Sequence, residues 1–102
     1  MKGEAYIYKT DGSNEHLDFT NPPDLKVLQD AVGGHIETVP YWVRHRGKPC
    51  VAFCNEEGKI HGLTYNAKAD MAWALERSAH VQDHLYGNVI VLMGDREFMG
   101  AL

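Results

Sequence analysis

The sequence predicts one α+β domain, a mostly antiparallel sheet of four to five strands with two helices packed on it. Three observations predict it. Short runs of β-branched and aromatic residues, bounded by Gly, Pro, Asn and Asp, recur along the chain and read as strands. Two longer stretches, 25–32 and 66–79, carry apolar residues or alanine at helical spacing instead. The length of 102 residues, 44% of them apolar, suits one small core and is too short for two.

Residues 5–8 are apolar and aromatic, and the turn chemistry of Asp11-Gly12-Ser13-Asn14 follows. Residues 16–19 alternate polar and apolar, so they pair back as a hairpin. Asn21 is the expected cap of the first helix, with Pro22 just inside it, where a missing N–H costs nothing. Leu25, Leu28, Ala31 and Val32 form its apolar face, and Gly33-Gly34 ends it, because glycine takes the left-handed conformation without strain. A strand over 35–43 follows, in which Pro40 marks an edge, a bulge or a bend. Arg44-His45-Arg46-Gly47-Lys48 is the hairpin loop, and 49–55 returns with Val51 and Phe53 on one face and Cys50, Ala52 and Cys54 on the other.

A tight turn over 55–59 places Gly58 where positive φ is expected, and 60–63 extends a short strand. Asn66 caps the second helix, whose expected inner face is Ala67, Met71, Ala74, Leu75 and Ser78. Residues 81–87 are irregular. The run Val89-Ile90-Val91-Leu92-Met93 is apolar on both faces and reads as a central strand. Residues 95–102 have no period and are expected to form a loose tail.

Charge narrows the function classes. The net charge is −4, and it lies in residues 1–43, which hold seven acids and three bases; residues 44–102 hold seven of each. Non-specific nucleic-acid binding needs a basic face, which this balance does not provide. No apolar run approaches the roughly 20 residues that span a bilayer, so no membrane role is expected. The first residues show no secretory pattern, and the two cysteines read as reduced thiols, so a cytoplasmic setting is expected.

The central stretch resembles a known family. Leu28-Gln29, then Val32-Gly33-Gly34-His35-Ile36-Glu37 with Val39-Pro40, Val51, Cys54-Asn55-Glu56-Glu57-Gly58-Lys59, Gly62-Leu63 and Asn66, followed by the strand at 87–91, form an ordered set over two thirds of the chain. It resembles the small domain catalogued as domain of unknown function 3846, found in phages, prophages and conjugative elements. The resemblance implies a compact α+β fold and a phage or mobile-element origin. It implies no reaction and carries over no catalytic residue. The second helix and the basic loop at 44–48 distinguish this chain from shorter members.

No catalytic constellation stands out. Cys50 and Cys54 are four apart, as are His80 and His84, which is a temptation to zinc. Four residues along a strand cover roughly 13 Å, whereas zinc needs its two sulfurs within about 4 Å. Neither metal nor cofactor is therefore expected, and His80 and His84 are read as solvent-facing at a helix end. Cys54 lies beside Glu56 and Glu57, whose charge opposes the thiolate that nucleophilic catalysis needs. The Glu56-Glu57 pair reads as a solvated turn.

The residues expected to bind are Arg44, Arg46 and Lys48 of the loop, with Tyr41 and Trp42 beside it, since aromatic residues and arginine concentrate at binding hot spots. Trp73, off the expected centre line of the second helix, is the other candidate; exposed, it would mark a partner or homodimer surface. The expectation is a non-enzymatic binding protein acting on a host protein, such as a defence or regulatory factor. The alternative is a small-ligand binder that sequesters an anionic nucleotide or metabolite at the basic loop.

Overall fold

The computed structural model describes residues 1–78 and 81–102. The chain opens with a hairpin, β1 (Gly3–Tyr8) and β2 (Asn14–Phe19), then α1 (Leu25–Val32) and β3 (Ile36–Thr38). A two-residue ribbon follows, β4 (Arg44–His45) and β5 (Lys48–Pro49), and then β6 (Val51–Asn55). The last elements are α2 (Ala67–Ala74), β7 (Val89–Gly94) and α3 (Arg96–Gly100).

Five strands form one antiparallel sheet in the order β2-β1-β7-β6-β3. The apolar run at 89–93 therefore lies in the middle, buried on both faces as its composition requires. Register lines up His16, Tyr6, Val91 and Ala52 across four strands, and Val39 continues the rung by donating its N–H to the Ala52 carbonyl at 2.8 Å.

Because side chains alternate along each strand, this rung and its neighbours face one way. Tyr8, Val89, Val91, Met93, Ala52 and Cys50 meet Trp42 of the 39–43 segment and Ala69 and Trp73 of α2. On the opposite face Ala5, Ile7, Ile90 and Leu92 meet Leu28 and Val32 of α1 and Phe98 of α3. The sheet thus separates two cores. Val51 and Phe53 do point away from Cys50, Ala52 and Cys54, and Phe53 joins the α1 side.

Several local expectations are revised. Asp24, not Asn21, occupies the cap position of α1, and Leu25 is exposed, leaving Leu28 and Val32 to anchor the helix. Gly33 does take the left-handed conformation, φ 78°, and closes the helix through its N–H to the Gln29 carbonyl. The strand expected over 35–43 stops at Thr38, since Pro40 bends the chain away from the ladder. Residues 60–62 form turns and 63 is irregular, so no strand extends there. Gly58 does not adopt positive φ; its place is set by the Tyr86 carbonyl, 3.0 Å from where a Cβ would stand.

The inner face of α2 is inverted. Ala69, Asp70 and Trp73 are buried, while Met71, Leu75, Ala67, Ala74 and Ser78 are exposed. Asn66, itself buried, fixes the rotation: its side chain accepts from the Ala69 N–H and donates to the carbonyls of Tyr8 and Gly87 at 2.8 and 2.9 Å. The described helix ends at Ala74, and Ala79, the expected end, lies outside the described residues. The expected loose tail is α3, capped by Asp95 through the Phe98 N–H, with Phe98 wholly buried.

Candidate functional site

The basic ribbon is built by a change of direction. After Pro40, Tyr41 adopts φ 64°, uncommon for a residue with a side chain, and turns Trp42 into the core. The Trp73 indole N–H holds this bend by donating to the Pro40 carbonyl at 2.8 Å. Val43 and Cys50 then join through a backbone hydrogen bond, and β4 pairs with β5. Arg46 and Gly47 form the tip, both at positive φ (52° and 79°), the turn geometry that matches the twist of a two-residue hairpin. Asparagine and glycine favour the first of these positions; arginine there carries a conformational cost of order 1 kcal/mol or more.

The ribbon lies over the tyrosine side of β1. Arg46 places its guanidinium 4.5 Å from the Tyr6 ring centre and donates to the Tyr6 hydroxyl at 3.2 Å. Lys48 Nζ lies 3.5 Å from Glu4 Oε1. His45, between these exposed cations, is buried at 4% exposure, with its Nε2 hydrogen-bonded to the Tyr8 hydroxyl at 2.5 Å. Burial, reinforced by the Arg46 charge, holds the His45 pKa below its ordinary value, and burial raises that of Tyr8. Of the three loop cations, Arg46 and Lys48 are therefore held against β1. The Arg44 side chain donates from Nη1 to the Gly47 carbonyl at 3.4 Å and is otherwise exposed. Tyr41 and Val43 beside it are 61% and 62% exposed.

The two tryptophans are core residues. Trp42 and Trp73 are 3% and 1% exposed, so neither offers a contact surface, and the condition under which Trp73 would mark a partner or homodimer surface is not met. Trp42 packs near Tyr8 and His45, and Arg77 stacks over Trp73 at 4.7 Å.

A cleft of about 250 Å³ opens on the same side of the sheet, lined among others by Glu37, Cys54, Lys59, Asp83, His84 and Tyr86. Lys59 pairs with Asp83 across it. His84 faces solvent as expected, but it lies beyond the end of α2 and is paired: its Nδ1 lies 2.9 Å from Asp70 Oδ2, which also accepts from the Tyr65 hydroxyl at 2.7 Å. The other Asp70 oxygen accepts from the Leu85 N–H, so one buried carboxylate ties the 84–85 segment to α2. Its pKa lies below the usual value because the Tyr65, His84 and Leu85 hydrogen bonds outweigh burial, which alone would raise it.

The cysteines are poor nucleophiles. Burial first, then Glu76, pushes the Cys50 thiol up to about 12; burial first, then Glu37 and Asp83, pushes Cys54 up to about 11. The direction for Cys54 is the expected one, but Glu56 and Glu57 are not its cause. Glu57 instead pairs with His61 at 2.5 Å in the turn. His80 lies outside the described residues.

Among the described residues one group of three potential metal donors converges, and it contains neither cysteine: Glu4, His16 and Asp18, on β1 and β2. Their separation in sequence, twelve and fourteen residues from Glu4, hid them from spacing arguments. The signal that could have found them is the hairpin register, which sets Glu4 opposite Asp18 with His16 on the same face.

A family model described as Domain of unknown function (DUF3846) matches residues 1–100. No curated protein and no solved structure matches the chain. Among the described residues no helix is long and apolar enough to cross a membrane.

Proposed function

We propose, for a chain that belongs to the family described as Domain of unknown function (DUF3846), that it is a non-enzymatic binding protein whose contact surface is the basic ribbon and the bend that leads into it. The partner on this reading is a protein of the bacterial host in which a phage or mobile element expresses the chain, a defence or regulatory factor. One observation carries the reading. Among the described residues, both non-glycine residues at positive φ, Tyr41 and Arg46, lie in this single segment, and at Tyr41 the strained backbone presents an exposed aromatic side chain. Strained backbone is retained where surrounding structure over-determines it, and such sites cluster at binding surfaces.

Tyr41 and Arg44 present exposed aromatic and guanidinium groups, the residue types enriched at protein-binding hot spots, with the exposed Val43 between them. A small anionic ligand is the less supported partner. The open depression beside Lys48 is lined by Glu4, Asp18 and Asp95 as well as Lys2, so carboxylates face any anion entering it.

The test is capture from host lysate with wild-type protein and with a Tyr41→Ser/Arg44→Ser variant, followed by binding measurements on whatever protein is retained. A partner retained by wild type, lost from the variant and weakened by salt supports the reading, since exposed charges are screened over about 8–10 Å. A partner retained equally by a folded double variant sinks it, and so does failure to retain any protein.

A further inference from the structure

We propose that Glu4, His16 and Asp18 form a binding site for a first-row divalent metal ion such as zinc or cobalt. The three donors come from two paired strands, so the backbone ladder sets their spacing. Glu4 stands directly opposite Asp18, and His16 is two residues from Asp18 on the same face. Glu4 Oε2 and His16 Nε2 are 3.1 Å apart, His16 Nε2 and Asp18 Oδ1 are 3.9 Å apart, and all three donor atoms lie within 4.8 Å of one another.

A metal held at about 2.0–2.2 Å by nitrogen and oxygen ligands separates neighbouring donors by roughly 3.0–3.5 Å. Glu4 and His16, hydrogen-bonded to each other at 3.1 Å, already stand at that separation, and a metal would take the place of the shared proton. Asp18, whose side chain is 84% exposed, has the freedom to close the remainder by rotating. One imidazole with two carboxylates is a mixed donor set that suits zinc, cobalt, nickel or manganese; calcium and magnesium prefer oxygen alone.

Two further features fit a cation here. Two carboxylates set directly opposite each other on antiparallel strands repel, and a positive charge between them removes that cost. The ribbon already sends one: the Lys48 ammonium sits 3.5 Å from the other Glu4 oxygen. Glu4 and Asp18 also line the depression bounded by Lys2, Lys48 and Asp95, and His16 is exposed beside them, so water can reach the remaining coordination positions. A metal ion on Oε2 and the Lys48 ammonium on Oε1 share the Glu4 carboxylate, and their like charges set them in competition for it.

Titration of tag-free protein with zinc by calorimetry, and with cobalt by visible absorption, tests this. One equivalent should bind, without the intense thiolate charge-transfer band that a cysteine ligand gives to cobalt. His16→Ala should weaken binding by more than about tenfold, since even outer-shell changes cost 10–100-fold. His84→Ala should leave it unchanged, and Lys48→Met should tighten it. His16 is exposed, so a thermal melt is expected to show its variant folded; if that melt shows unfolding, Asp18→Asn carries the same test. Absence of saturable binding, a thiolate band, or undiminished affinity in a folded His16→Ala or Asp18→Asn protein overturns the site. Unchanged or weaker binding in Lys48→Met overturns the competition.

Discussion

His45 and Arg46 are neighbours with opposite fates, and the contrast shows how the ribbon is held. Arg46 keeps its charge in solvent and rests its guanidinium plane on Tyr6. His45 gives up its exposure to meet the Tyr8 hydroxyl. A buried imidazole resists protonation, and the adjacent Arg46 charge adds to that resistance. With the folded pKa below the unfolded value of about 6.5, the unfolded chain binds the proton more readily. The contribution of neutral His45 is thus complete above about pH 6.5 and is lost as pH falls from there through the folded value. Urea melts of wild type and His45→Gln between pH 8 and pH 5 should show a steeper loss of stability on acidification for wild type. Equal slopes for the two proteins would contradict this. The carboxylates with depressed pKa values, Glu4, Asp11, Asp70, Asp83 and Asp95, lose their contributions in more acidic solution, in both proteins alike.

At the scale of elements, α2 and α3 show what binds a helix to this sheet. The alanines of α2 lie all around its circumference and give it no preferred side. Burial of Trp73, a side chain that covers about 150–250 Å², and the hydrogen bonds of Asn66 and Asp70 choose the rotation. Met71 and Leu75 are left 70% and 86% exposed. Leu75→Ser should therefore change stability by no more than about 0.5 kcal/mol in a denaturant melt, whereas a buried leucine would cost several times more.

The short α3 is held by one ring. Phe98 lies against Gly3 and Gly94, where a Cβ on either glycine would stand 2.4 Å from the ring. Phe98→Ala should cost about 3–5 kcal/mol and free the C-terminal residues, visible as rapid amide exchange over 95–102. A loss below 1 kcal/mol would mean that the tail contributes little to the core.

For the molecule as a whole, the sheet is a partition between two cores, and β7 belongs to both. Val89, Val91 and Met93 face α2 and the 39–43 segment; Ile90 and Leu92 face α1 and α3. Ile90 has no exposed surface and no room to relax into solvent. Ile90→Ala should cost about 2–5 kcal/mol by urea denaturation, and a loss under half a kcal/mol would place β7 outside the centre. The ribbon and its exposed residues lie at the surface of one core only. Substitution of Tyr41 or Arg44 is accordingly expected to act on binding far more than on folding.

The α+β class, the β1–β2 hairpin, the end of α1 at Gly33 and the central position of the 89–93 run were legible in the residues alone. Each depends on interactions within a few positions of the chain or on an apolar run long enough to demand burial on both faces. The tertiary structure decided the rest. Proline at position 40 allowed an edge, a bulge or a bend, and Trp73 meeting the Pro40 carbonyl from α2 holds the bend. An aperiodic tail becomes α3 because Gly3, some ninety residues earlier, leaves room for Phe98. The basic loop was visible as a loop, but its division into a stacked Arg46, a paired Lys48 and a buried His45 depends on Tyr6, Glu4 and Tyr8 lying beneath it. The same holds for Glu4, His16 and Asp18, which no short spacing unites. Hydrophobic periodicity and turn chemistry are local in the chain, whereas the rotation of a helix and the meeting of distant side chains are set by which contacts the assembled sheet makes available.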